Sequence, residues 1–501
     1  MTGAGRYART LMVQGTASGV GKSWLVAGLC RVLRRRGIAV APFKAQNMSN
    51  NAAVTSRGGE VGRAQAVQAE AAGVDVDERM NPVLLKPLAD TRSDVVLRGV
   101  SRPDLAEIPW TERRSVLWPE VASALDALRG DFDWVVIEGA GSPAEINLAD
   151  SDIVNMAVAR YADAPVILVA DIDRGGAFAS LVGTWELMRP ADRARLRGFV
   201  LNRFRGDPAL LGDAPEVVRR HTGVETLGVV PWVSARLPDE DAAVIERASE
   251  GADGTVAVVR LPRIANFDDV LPLERMPGVG VRWADRPEAL DGAAAIVLPG
   301  SRNVVADLDW LHASGLGGAI RERAGAGVPV LGLCGGLQML GRTVEDPEGI
   351  EGGATRAGGS ARQGLGLLPV STVLEGTKTV RRVTARWSGP SGRIGVLSGY
   401  EIHHGRTRSG SPAFVHDEDD PERELGYRSG RVWGTYVHGC LSDPAFRNAW
   451  LALAGLPAAP TGHSVPATLV DRTPEFPGPD PIDVVADAVE GALDIDEILA
   501  R

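Results

Sequence analysis

Short apolar runs alternate with helix-length stretches along most of this chain. Arg9–Gln14, Trp134–Ile137, Val166–Ala170, Phe199–Asn202 and Leu227–Pro231 read as buried strands. Helix-length segments between them predict a doubly wound α/β domain over residues 1–235. A polar, acidic, glycine-ended linker follows at 236–254. A new series then opens with Val256–Val259 and continues through Ile296–Leu298, Val328–Leu333 and Val432–Val437, which predicts a further α/β domain over 255–445. Residues 446–501 form a tail that is Pro-rich from Pro457 to Pro481. It closes on Ile482–Leu499, an acidic amphipathic helix suited to docking. Glu345–Gln363, rich in glycine, predicts a mobile loop, and no internal repeat is present.

Composition narrows the class. With 501 residues, 44% of them hydrophobic, the chain can bury two sizeable cores. A net charge of −10 gives no electrostatic footprint for nucleic acid. No apolar run approaches a membrane span, and Met1–Arg9 is short and polar, so a cytoplasmic location without membrane contact is expected. Cys30, Cys334 and Cys440 lie far apart without metal-ligand spacing, which suits a reducing compartment.

Cys334 carries the sharpest signal. The apolar run ending at Leu333 meets Cys334, then Gly335 and Gly336, then a helix-like segment. This is a strand-to-helix elbow that lifts a side chain out of a sheet, and a thiol there feels the positive end of the following helix. A buried structural cysteine would not need the flanking glycines. Ile296–Ser301 is a strand ending in a tight turn, and Val432–Gly439 is a later strand carrying His438. These segments resemble the glutaminase domain of class I (triad-type) glutamine amidotransferases. The resemblance implies Cys334 as nucleophile, His438 as its base, and an oxyanion hole at Gly300 and Gly335. It also implies a glutamate two residues after the histidine, where this chain has Cys440. The third triad member is therefore missing or comes from elsewhere.

A second motif opens the first domain. Between the strand Arg9–Gln14 and a helix burying Trp24, Leu25, Leu29, Val32 and Leu33 lies the run Gly15–Ser23. Gly15, Thr16, Gly19 and Gly21 permit a loop whose N–H groups wrap phosphates, Lys22 supplies charge, and the Ser23 hydroxyl can bind Mg²⁺. The spacing resembles the dethiobiotin synthetase-like branch of P-loop proteins, and ATP is the implied co-substrate. Glu138, at the end of a strand, stands where a second Mg²⁺ ligand belongs. Asn202, at another strand end, is a candidate adenine reader, or equally a turn-forming residue.

The segment Ala41–Asn51 is dense in amides and hydroxyls. Lys44, Gln46, Asn47 and Asn50 there, and Lys86 in Met80–Pro87, are candidate contacts for a substrate rich in carboxylates and amides, although loop lysines are more often solvated charges. A helix-like stretch, Gly59–Ala72, lies between them. His403 and His404, near a strand end, lack the companions a metal site needs. Pro42–Asn51, Met80–Pro87, Ile137–Asn147, Asp171–Phe178 and Leu261–Phe267 together resemble the cobyric acid synthase family of the cobalamin pathway, over about Leu11 to His438. That family also departs from the His-x-Glu spelling. The resemblance implies amidation of the b, d, e and g carboxylates of adenosylcobyrinic acid a,c-diamide with L-glutamine as nitrogen donor. Two alternatives stay open: cobyrinic acid a,c-diamide synthase, and a partition-type P-loop ATPase carrying a dead glutaminase domain.

Overall fold

The computed structural model describes residues 7–89, 92–235, 237–238, 253–351, 361–390, 392–457 and 479–500. The expected linker, the glycine-rich loop after Glu345 and the Pro-rich tract after Pro457 fall largely outside them.

Six parallel strands form the first sheet, in the spatial order 226–231, 196–204, 166–171, 9–15, 134–138, 40–43. The central strands Trp134–Glu138 and Val166–Asp171 are buried along their whole length, as a parallel sheet covered on both faces requires. Arg9–Gly15 occupies the middle, where the strand order changes direction, so its carboxyl end opens on the crevice where such sheets bind ligands. Helix α1 (Lys22–Arg35) leaves that end through Gly21, whose φ of 96° favours glycine. Its inner face carries Leu25, Val26, Leu29, Val32 and Leu33, while Trp24 sits half-buried at the edge.

The amide-rich segment after Phe43 is not an open loop. Gln46–Met48 pairs with Val83–Leu85 at the edge of a small four-stranded sheet, and Ala52–Val54 pairs antiparallel with Glu60–Gly62. The short apolar runs there satisfy their backbone groups by pairing, which a solvated loop would not need. That pairing holds residues 60–62, so helix α2 (Arg63–Ala72) starts later than the helix-like pattern suggests.

The second sheet has nine strands. Residues 279–284, 254–259, 295–298, 330–333 and 432–435 run parallel, and 424–429, 415–417, 379–388 and 394–403 extend them as an antiparallel meander. Helix α3 (Gly335–Leu340) follows the strand Val330–Leu333 directly. The helix Pro444–Leu453 buries Phe446 and Trp450 beside Trp387 and Trp433, so this core extends beyond residue 445.

The halves meet through Ala52, Val54, Leu84 and Val96 on one side and Ile402 on the other. The tail helices α4 (Pro481–Ala492) and α5 (Ile495–Ala500) return to the first domain. Val485, Ala486 and Val489 are buried, and Val489 presses so closely on α1 that a Cβ at Gly28 would lie 2.6 Å from its Cγ2. Arg31 and Arg35 of α1, and Arg36 just past its end, pair with Asp480, Asp483, Asp487 and Glu490 around this seam. Exposed pairs of this kind add little each, so apolar burial is the main attachment. Among the described residues, no helix is long and apolar enough to cross a membrane.

Candidate active site

Cys334 occupies the turn between Val330–Leu333 and α3 with φ 51° and ψ −106°, a backbone conformation that is strained for any residue but glycine. The strain is held by tight neighbours. Cys334 N–H donates to the Thr435 carbonyl at 2.8 Å, and a Cβ on Gly335 would stand 2.9 Å from Ser301 N. A Cβ on Gly300 would stand 2.9 Å from the Ala265 carbonyl and 3.4 Å from His438 Cε1. The turn at Gly300–Ser301 is thus pressed against both the helix that follows Cys334 and the histidine, and neither glycine leaves room for a side chain.

His438 is buried and fixed on three sides. Its ring stacks on Tyr400 with centroids 5.1 Å apart, and its backbone exchanges hydrogen bonds with Tyr400. Its Nδ1 lies 2.7 Å from Asp269 Oδ2, while Asp269 Oδ1 accepts the Gly439 N–H at 2.8 Å. Burial opposes a charged imidazole here, but the Asp269 carboxylate and the facing Cys334 sulfur outweigh it and raise the pKa of His438 to about 10. Cys440, at the position of the usual glutamate, is a fully buried core thiol whose pKa burial pushes far up. The orienting carboxylate thus comes from Asp269, two residues past the Leu261–Phe267 segment. The adjacent Asp268–Asp269 pair, just after that segment, was the available signal.

At the other site the P-loop is braced by its own domain. Lys22 Nζ donates to the Ala17 carbonyl at 2.9 Å and the Gly141 carbonyl at 3.2 Å. Thr16 N–H donates to the Val169 carbonyl at 2.9 Å, tying the loop to the neighbouring strand. Gly15 is packed against Val20 and Lys22, and the Gly19 carbonyl accepts from Arg203 at 3.0 Å. Asn202 Nδ2 donates to the Val20 carbonyl at 2.9 Å and abuts Gly21, so Asn202 props the loop from the end of its strand.

Glu138 is buried below the loop. Its Oε1 accepts from Ser23 Oγ at 2.7 Å and lies 2.8 Å from Lys44 Nζ, and its Oε2 accepts from Gln68 Nε2 at 2.5 Å. Burial would raise its pKa, but Lys44 and the hydrogen bonds lower it, so the carboxylate stays ionised. A hydroxyl and an ionised carboxylate side by side are hard oxygen donors that fit Mg²⁺. Among the described residues, no group of three or more His, Cys, Asp or Glu could hold a metal alone, so phosphate and water would complete the shell.

The remaining candidates divide. Lys44 is buried on Glu138, not solvated. Asn47 Nδ2 donates to Gln65 at 3.1 Å, whereas Gln46 Oε1 and Asn50 Oδ1 are buried without a hydrogen-bond partner. Lys86 is also buried, but in the wall of the cavity that holds Cys334 and His438, paired with Glu60. Gln68, Glu60, Arg302, Lys378 and Glu351 carry no motif, and only the fold reveals their placement.

A P-loop with an ionised carboxylate beneath it, joined in one chain to a Cys–His–Asp elbow site, defines an ATP-dependent glutamine amidotransferase. Residues 11–244 match the CobQ/CobB/MinD/ParA nucleotide binding domain, and residues 255–446 match the CobB/CobQ-like glutamine amidotransferase domain. The chain is 51% identical to cobyric acid synthase of Deinococcus radiodurans over 98% of its own length and 100% of that protein. It is 53% identical to cobyric acid synthase of Variovorax paradoxus, covering 90% of this chain and 94% of that one. With cobyric acid synthase of Sorangium cellulosum it shares 48% identity over 97% of each chain. The chain belongs to the cobyric acid synthase family.

Proposed function

We propose that the chain converts adenosylcobyrinic acid a,c-diamide to adenosylcobyric acid by amidating the b, d, e and g carboxylates, using ATP and L-glutamine. The observation that carries this reading is the presence of both half-sites in one chain, each with its charged groups buried and paired. The Asp269–His438–Cys334 relay argues against a dead glutaminase domain.

In the glutaminase half, the Cys334 thiolate attacks the side-chain amide carbon of glutamine. The oxyanion that forms sits against the Gly300–Ser301 turn and the Gly335 N–H. The His438 imidazolium, oriented by Asp269, gives its proton to the departing nitrogen, and ammonia leaves. Water, deprotonated by His438, then cleaves the glutamyl thioester to glutamate and restores the thiol.

In the synthetase half, a substrate carboxylate oxygen attacks the γ-phosphorus of ATP, and ADP departs. Lys22 and the loop N–H groups offset the charge on the phosphates. Ser23 and Glu138 would hold Mg²⁺, which supplies further neutralisation when bound. Lys44 is close enough to Glu138 to move between that carboxylate and an incoming phosphate or substrate carboxylate. Gln46 and Asn50, whose buried amide oxygens have no hydrogen-bond partner among the described residues, would accept from amide N–H groups of the substrate. Ammonia then displaces phosphate from the acyl phosphate. Activation is needed because a free carboxylate does not condense with ammonia at neutral pH.

The test is mass spectrometry of the diamide incubated with ATP, Mg²⁺ and glutamine. Four successive losses of about one mass unit, each an OH replaced by NH₂, are expected. No mass change with the diamide, and two such changes with cobyrinic acid instead, would assign the chain to a,c-diamide formation.

A further inference from the structure

The cavity holding Cys334 and His438 has one wall that neither half makes alone. Lys86, from the synthetase half, lines it together with Arg302, Lys378 and Glu351 of the glutaminase half. Two buried carboxylates of the synthetase half, Glu60 and Asp94, cross the boundary. Glu60 pairs with Lys86, and its Oε2 lies 2.5 Å from Lys378 Nζ, while Asp94 Oδ2 accepts from Arg302 Nη2 at 3.0 Å.

The pairing here is uneven. Lys86 and Lys378 share Glu60 and Arg302 pairs with Asp94, while a third carboxyl, Glu351, is held by the backbone N–H groups of Val304 and Val305, the latter 3.2 Å from its Oε2. Arg302 is buried, yet its Nε has no hydrogen-bond partner. Burial pushes Lys86 down to about 8 against the pull of Glu60, and Glu351 up to about 7 against the pull of backbone N–H groups and Arg302. A buried guanidinium N–H without an acceptor is costly unless a ligand supplies one. Among the described residues, Arg302 Nε thus has an open place for an anion and the Glu351 carboxyl one for a cation, in the cavity that also holds Cys334. An α-amino acid brings both, and glutamine carries them two methylenes away from the amide that Cys334 attacks.

We propose that Arg302, Lys378 and Lys86 cradle the α-carboxylate of the glutamine substrate, with Glu351 receiving its α-ammonium. This rests on the glutaminase reading above and adds its specificity determinants. It also moves Lys86 from the acceptor substrate to the nitrogen donor, and makes the glutaminase site incomplete without the synthetase half.

The experiment compares two donors in the full-length enzyme with ATP and the diamide present: L-glutamine, and L-glutaminamide, whose α-carboxylate is replaced by a neutral amide. Glutamate or isoglutamine release is measured. In Lys86→Met, kcat/KM for L-glutamine should fall tenfold or more, mainly through KM, while kcat/KM for L-glutaminamide changes less than threefold. Lys86→Arg should recover most of the loss. Lys378→Met should show the same selective loss, and serves if Lys86→Met does not fold. In Glu351→Gln, the preference for L-glutamine over its N-acetyl derivative should shrink. Equal losses on both donors, or unchanged KM for L-glutamine, overturn the cradle. A wild-type enzyme that releases ammonia from neither donor overturns the glutaminase reading itself.

Discussion

Asp269 reaches His438 across 169 residues of chain, its Oδ2 2.7 Å from the imidazole Nδ1. The second carboxylate oxygen holds the N–H of Gly439, the residue that follows the histidine. One side chain therefore fixes both the ring and the turn that carries it. In the His-x-Glu arrangement, the orienting acid and the histidine share one loop. Here the acid stands on a separate segment at the boundary with the synthetase half. Its neighbour Asp268 lies 2.7 Å from Arg63 at the start of α2, Asn51 Oδ1 accepts from Phe267 N–H at 3.2 Å, and Asn266 Oδ1 accepts from Ala52 N–H at 3.1 Å.

Removal of that carboxylate should be felt twice. Asp269→Asn is expected to lower glutamine-dependent turnover on the order of a hundredfold or more, the usual scale for a general acid–base. It should also change the pH profile. The proton on His438 is held up to about 10 by Asp269 and the sulfur. The imidazolium thus persists through neutral pH and loses its proton as pH rises through that value. Its contribution to folding has the same sign, being full below the ordinary value of about 6.5 and lost as pH approaches about 10. Without Asp269, the alkaline limb of kcat/KM for glutamine should move to lower pH. An unmoved limb would remove Asp269 from the relay.

Cys440 offers a contrasting test. Restoring the glutamate spelling with Cys440→Glu should not help, because the position is fully buried among Leu441, Phe446 and Val437. An unpaired carboxylate there costs on the order of several kcal/mol. A fall in melting temperature of roughly 10 °C is expected, without gain in glutaminase rate. A faster and equally stable variant would show that this residue can orient His438.

The strands were legible because each is a run of apolar residues with one meaning at every position, and the P-loop and elbow because glycine spacing there reflects steric need. Asp269, Glu60 and Arg302 were not legible. Their partners lie far away in sequence, and a lone acid or arginine in a loop reads as a solvated charge. Lys44 and Lys86 show the same limit: both lysines are buried, each on a carboxylate, Glu138 or Glu60, that the local sequence does not point to. The segment 41–51 looked like a polar loop because its strand, Gln46–Met48, is amide-rich and pairs with a distant run, Val83–Leu85.

Loss of the thiol should separate the half-reactions. Cys334→Ala is expected to abolish amidation from glutamine while amidation from ammonium salts continues, since Lys22, Ser23, Glu138 and Lys44 make no use of the sulfur. Diamide conversion by each nitrogen source, followed by mass, is the measurement. Sustained use of glutamine by the Ala variant would remove Cys334 from the nucleophile role.

The phosphate loop makes the opposite separation. Lys22 is held over the loop by the Ala17 and Gly141 carbonyls, ready to exchange them for phosphate oxygens. Lys22→Ala should therefore stop amidation from both nitrogen sources, because the acyl phosphate does not form without charge at the γ-phosphate. Glu138→Gln should act similarly for a different reason: it takes the negative charge from beside Ser23, which would weaken a Mg²⁺ held there, and removes a buried carboxylate partner of the Lys44 ammonium, at some cost in stability. ADP release with and without the diamide, alongside thermal unfolding, reads these effects. Diamide-stimulated ADP release in the wild type that disappears in Lys22→Ala marks a ligase. ADP release indifferent to the diamide but stimulated by DNA would instead mark a partition-type ATPase.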